Sequence, residues 1–121
     1  MTTAELTAHR QAVRTSPKDA AAYLQNLLGQ KLIALITGLR DPKEVGRWAA
    51  GEHSPSSGRE ERLQHSFQIA WMLAQNESPP TVRSWFVGMN PRLDDVSPAE
   101  ALRDGREAEV LAAATAFLAG G

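Results

Sequence analysis

The sequence predicts an all-α protein, a single domain of about eight helices, and three observations predict it. Five segments place a capping side chain just ahead of a helix start, usually with Pro or an acid inside the first turn: Ser16-Pro17-Lys18-Asp19, Asp41-Pro42-Lys43-Glu44, Ser57-Gly58-Arg59-Glu60, Ser78-Pro79-Pro80-Thr81 and Ser97-Pro98-Ala99-Glu100. Gly29, Gly38, Gly51, Gly88 and Gly105 fall where the preceding helices should stop. No alternating apolar pattern of any length lies between them, so strands are not expected. The expected helices are 4–14, 17–28, 30–38, 42–50, 59–76, 79–87, 98–104 and 106–119.

Taken in order, the leading part from Met1 to about Thr15 is weakly amphipathic through Leu6 and Val13, and it is expected to be loosely attached or stabilised by a partner. The stretch Leu32 to Gly51 reads as two short helices around a tight turn, the pattern of a helix-turn-helix DNA reader. In it Ala34 suits a close helix approach, and Gly38 falls where the first helix must end with φ > 0. Asp41 is placed to cap the second helix, Pro42 to open it and Glu44 to complete a capping box, which turns Val45 and Trp48 to the core together. The usual turn has one residue fewer between the glycine and the inward Val. The segment 59–76 is the longest helix, and its apolar residues Leu63, Phe67, Ile69, Ala70, Trp71, Met72, Leu73 and Ala74 cover more than one face, which predicts a central position. In the last helix Val110, Ala113, Ala114 and Phe117 form one inward stripe, whereas Leu111, Thr115 and Leu118 form a second that a monomer has little reason to carry. That second stripe is a candidate contact for another chain.

At 121 residues the chain is one domain, so a binding site must be a surface or a tail. Within it three parts are expected: an N-terminal helical extension (1–27), a helix-turn-helix with the long central helix (28–76) and a C-terminal module (77–121). Cys is absent, which excludes disulfides, thiolate metal sites and thiol nucleophiles and suits a reducing cytoplasm. The start has neither a basic n-region nor an apolar h-region, and no apolar run approaches a bilayer span, so a soluble intracellular protein without membrane contact is expected. The formal net charge of −1 counts against a strong nucleic-acid binder. Charge is uneven, however: residues 1–58 hold seven Lys/Arg against five Asp/Glu, and residues 59–121 six against nine.

Lys43 and Arg47 are expected on one outward face, either as a solvated face or, with Gln30, Lys31 and Arg40, as the set that contacts DNA, mostly through phosphates. Trp48, Trp71 and Trp85 sit at apolar helix positions and read as core. His9, His53 and His65 lack metal-ligand spacing and read as surface residues, and Asp94-Asp95 read as solvated loop acids. Ser54, Ser56 and Ser57 lack a nucleophile elbow. No catalytic or metal-binding constellation is present in the sequence, so neither an enzyme nor a cofactor is expected.

The C-terminal half runs Trp85, Asn90-Pro91, Leu93, Ser97-Pro98, Leu102, Gly105, Val110 and Gly120. This order resembles the toxin-binding domain of the Xre/MbcA/ParS antitoxin family, and the Xre-like segment Gln30 to Gly51, Pro55 and the Arg62-Leu63 opening of the long helix extend the resemblance over residues 28–121. It departs at two points: the family's glycine in the loop after Leu93 is Asp94 or Asp95 here, and a longer C-terminal inhibitory tail is expected to be missing beyond Gly120-Gly121. The resemblance implies a type II antitoxin whose partner is a RES-domain toxin that consumes NAD. It further implies that the C-terminal helix and tail cover the toxin's active site, and that the helix-turn-helix binds the operon's own operator DNA, with a homodimer inside the toxin-antitoxin complex. Trp85, Asn90, Arg92, Leu111, Thr115, Leu118, Gly120 and Gly121 are the expected toxin-binding residues. A stand-alone helix-turn-helix regulator is the alternative.

Overall fold

Local capping sets most helix boundaries in the computed structural model, which describes residues 1–120. Ser16 Oγ accepts the Asp19 N–H at 3.1 Å, Ser78 Oγ the Thr81 N–H at 3.4 Å and Ser97 Oγ the Glu100 N–H at 3.1 Å, opening α2 (Pro17–Leu28), α6 (Pro79–Val87) and α7 (Pro98–Arg103) as the sequence predicts. The first helix, α1 (Thr3–Arg14), carries a complete capping box that the sequence reading passed over. Thr2 Oγ1 accepts the Glu5 N–H at 3.1 Å and Glu5 Oε1 accepts the Thr2 N–H at 3.3 Å.

Two caps differ from expectation. Ahead of α4 (Lys43–Ala49), Asp41 Oδ1 accepts the Lys43 N–H at 3.0 Å, but Glu44 does not reach back to close a box, because Arg47 and His53 hold its carboxylate. The long helix α5 (Ser57–Ala74) begins two residues before the expected 59, so Ser57 is inside it, and Ser56 precedes it without a side-chain cap. Between α2 and α4, α3 (Gln30–Thr37) ends at Gly38, whose φ of 78° is the left-handed conformation expected there. The eighth helix is α8 (Glu107–Leu118), and a three-residue 3-10 turn, Pro91–Leu93, lies between α6 and α7. Among the described residues there is no strand, and no helix is long and apolar enough to cross a membrane.

The apolar residues of α5 are too widely spread around the helix for one partner to cover, and α1, α2, α3, α6, α7 and α8 all pack against it. Leu63, Phe67, Ile69, Ala70, Met72 and Leu73 are buried there, in one cluster to which all eight helices contribute. Helix α4 packs chiefly on α2, with Val45 and Trp48 turned inward together. Helix α1, expected to be loosely attached, packs on α5 with Ala8 and Ala12 buried, whereas Leu6 and Val13, which gave the segment its weak amphipathicity, are 40% and 73% exposed. Small side chains let the two helices approach closely, and the larger pair is left on the outside.

Trp48 is 2% exposed, so truncation to Ala should leave a large cavity. A loss of about 3–5 kcal/mol is expected, read as a lower urea midpoint at unchanged m-value. An unchanged midpoint would contradict its burial.

Candidate functional site: an aromatic cleft beside the last helix

Val82 and Phe86, four apart on α6, face the core, which leaves Trp85 half-buried at the rim. Its ring meets Phe86 edge-on with centroids 5.2 Å apart, and it meets Phe117 of α8 at 6.3 Å in a tilted arrangement. Past Gly88 the chain folds into a compact loop. Asn90 Oδ1 accepts the Arg92 N–H at 3.0 Å, and the 3-10 turn drives Leu93 fully into the core.

Asp94 and Asp95 then adopt φ of 58° and 64°, left-handed backbone that glycine tolerates best, in the loop where the family resemblance implies a glycine. Two kinds of contact hold this pair. The Asp95 N–H donates to Asn90 O at 3.0 Å and the Asn90 N–H to Val96 O at 3.1 Å, closing the loop on itself. Arg106, at the start of α8, donates to Leu93 O at 3.4 Å, Asp94 Oδ2 at 3.0 Å and Glu109 Oε2 at 2.6 Å. The hydrogen bond from Arg106 holds the Glu109 carboxyl below the ordinary glutamate range, and Glu109 in turn raises the Arg106 guanidinium.

Trp85, Asn90, Pro91, Arg92, Ala113 and Phe117 line the resulting cleft, so three of the expected toxin-binding residues come together. Phe117 was expected to point inward. It is instead 37% exposed, because the α6 chain has turned away beyond Gly88 and Trp85 is what remains for it to cover. Next to Trp85 in sequence, Val87 and Met89 are 61% and 81% exposed, an apolar margin that no helical periodicity announces.

Leu111, Thr115 and Leu118 lie on the other flank of α8. Leu111 borders a groove with His65, Gln68 and Ile69 of α5, while Thr115 and Leu118 lie beside Met72 and against Thr2 and Ala4 at the start of α1. Leu111 and Leu118 pack partly against the core, and Thr115 Oγ1 donates to Leu111 O at 3.0 Å. Gly120 is exposed, with φ of 88°. Gly121 is outside the described residues.

On the cationic half, Gln30 is half-buried rather than free. Its Nε2 donates to Gln25 Oε1 at 2.7 Å and covers Gly46, where a Cβ would lie 2.8 Å from it. Lys31 and Lys43 are exposed and share a shallow depression with Asp41 and Pro42, and Arg40 is exposed nearby in sequence. Arg47 is not a free cation: it pairs with Glu44 at 3.0 Å and Asp41 at 3.5 Å, and Glu44 also holds His53 at 2.9 Å. His53 and then Arg47 keep the Glu44 carboxyl below its usual range. Of the outward pair Lys43 and Arg47, only Lys43 therefore presents an uncompensated charge. Among the described residues no group of three or more His, Asp or Glu is placed to hold a metal ion.

With this geometry in place, comparison with known proteins assigns the chain: it belongs to an antitoxin family. The family is that of the mycobacterial cidal antitoxin MbcA, and the chain is 32% identical to MbcA of Mycobacterium tuberculosis (strain H37Rv) over 79 residues, covering 65% of this chain and 70% of the relative. MbcA of Mycobacterium bovis matches with the same identity and coverage. No protein-family model matches the chain, and no solved structure does.

The Arg106 clamp has a pH signature. Glu109 is ionised more readily when folded than unfolded, so its pairing stabilises the protein above the unfolded glutamate pKa, and that contribution disappears as pH falls through the lowered folded value. In a carboxyl-carbon NMR titration Glu109 should titrate below ordinary glutamates, and Arg106→Gln should return it to their range. Equal midpoints in the two proteins would show that the pair does not form in solution.

Proposed function

We propose that this antitoxin neutralises a RES-domain, NAD-consuming toxin in the cytoplasm, docking it on the Trp85–Phe117 cleft so that the end of α8 and the Gly120-Gly121 tail cover the toxin's active site. The observation that carries this reading is the convergence of Trp85, Asn90, Arg92 and Phe117 in one cleft with exposed Val87 and Met89 adjoining it in sequence. Aromatic and Arg side chains within an apolar patch are the composition of interface hot spots. Arg106 and the loop hydrogen bonds hold the cleft in place, so little ordering is lost on binding. Leu111, Thr115 and Leu118, being partly used within the chain, have the secondary role of setting the direction in which α8 leaves the core.

Autoregulation through operator DNA, with a homodimer inside the toxin complex, is the second part of the proposal. Exposed Lys31, Arg40 and Lys43 support it. Gln30 and Arg47 are already engaged, which makes their contribution the smaller one.

Charge forced into a desolvated interface is costly, so Phe117→Asp combined with Met89→Asp should abolish neutralisation while helicity stays near wild type and the melting temperature falls only modestly, since Met89 is exposed and Phe117 loses chiefly its ring contact with Trp85. The assay is growth of cells co-expressing this chain with a RES-domain toxin from the same organism. Equal protection by the double variant and wild type would remove the cleft from the mechanism. For the DNA part, Lys43→Ala should weaken operator binding in a mobility-shift titration more than Arg47→Ala does, and the reverse order would show that the Glu44 pairing opens on DNA.

A further inference from the structure

Arg59 and Arg62, three apart on α5, both reach the Gly38 turn that closes α3. Arg59 Nη2 donates to the Gly38 carbonyl oxygen at 3.3 Å, and Arg62 Nη1 lies 3.6 Å from where a Cβ on Gly38 would sit. Three of the ten arginines of this chain are matched with acids: Arg47 with Asp41 and Glu44, Arg103 with Asp104, Arg106 with Asp94 and Glu109. Arg59 and Arg62 are among those that are not, and they are the two brought to one turn. Among the described residues neither has an ion pair, and the Arg62 guanidinium has no hydrogen bond. The Arg59 Nε–H is buried with no acceptor at all. Glu60 and Glu61 stand next to them on α5 without pairing to either, and exposed Arg40 follows Gly38 by two residues.

The bland account is that the pair complements the C-terminal end of α3, where carbonyl oxygens favour cations. That cap occupies one of roughly ten N–H donors on the two guanidiniums. It leaves two like charges on one turn, which repel unless something anionic lies between them. A tetrahedral oxyanion accepts from two guanidinium forks at once, in the geometry that makes arginine the phosphate-binding residue.

We propose that the Gly38 turn is a phosphate site at which Arg59 and Arg62 share one phosphate group, supplied by a nucleic-acid backbone or by a free phosphate. The site is separate from the toxin-facing cleft, and it does not depend on Lys31, Arg40 or Lys43 reading an operator. The test is NMR of the full chain with 15N-labelled arginine side chains, titrated with inorganic phosphate and, separately, with duplex DNA of its own promoter, ionic strength being held with NaCl. Arg59 and Arg62 Nε signals should move with at least one probe, and Arg62→Gln should weaken that binding about tenfold, as expected for a lost charge-assisted hydrogen bond. Arg62→Gln removes no intramolecular hydrogen bond, so its fold should persist, and Arg62→Lys should keep part of the affinity.

If the backbone is the source, Arg62→Gln also lowers the salt dependence of DNA binding by about one unit of slope. If a free phosphate is the source, only the inorganic titration changes. Either result supports the site, and a promoter that binds with an unaltered slope separates it from the operator-binding proposal. Unmoved Arg59 and Arg62 signals with both probes, or phosphate affinity unchanged in Arg62→Gln, would overturn it and leave the pair as a helix cap.

Discussion

The structure depends on the burial of α5. A helix with apolar residues on most of its circumference cannot face water on one side, and Leu63, Phe67, Ile69, Met72 and Leu73 are all buried beneath the six helices packed around it. Each such side chain contributes about 1.5–3 kcal/mol when withdrawn from water, so the six helices around α5 are held by one shared driving force. The consequence is mechanical as well as energetic. The α3–α4 unit and the α6–α8 cleft lie on a common core, and the position of one is fixed relative to the other through α5.

What was legible in the sequence was what local chemistry decides. Ser16, Ser78 and Ser97 each cap a helix within three residues of themselves, and Gly38 takes its left-handed φ because its own turn requires it. The central place of α5 and the burial of Trp48 were readable because an all-round apolar helix and an i, i+3 pair admit few alternatives. The misread positions are those that tertiary geometry decides. Ala8 and Ala12 attach α1 because close approach selects small side chains over Leu6 and Val13. Phe117 turns outward because α6 stops at Val87, a fact about another helix. At the cleft, Trp85 and Asn90 are positions that the family resemblance names and Arg92 is a further expected contact, whereas the place of Phe117 in the lining and the exposure of nearby Val87 and Met89 emerge only from the structure.

Electrostatics divides the surface in a way that residue counts conceal. The cationic half is the one expected to meet DNA, yet Asp41 and Glu44 neutralise Arg47 within α4 and its flank, and Glu44 also holds His53. Surface pairs of this kind add little stability, but they do cancel the field a phosphate backbone would sense. In the C-terminal half, by contrast, Arg106 pairs with Asp94 and Glu109 beside a loop whose two consecutive aspartates take left-handed backbone, which Asp tolerates better than most residues. Arginine thus has a neutralised role in one half and a positioning role in the other, and the surface that Arg106 positions is the one proposed to meet the toxin.

The most direct measurement is amide hydrogen exchange on the full chain alone and in its purified complex with the cognate toxin. Complex formation is predicted to slow exchange in the 88–95 loop and at the end of α8, with α4 amides unchanged. Protection confined to α3 and α4, with the loop exchanging as fast as in the free chain, would contradict the placement of toxin binding on the Trp85–Phe117 cleft.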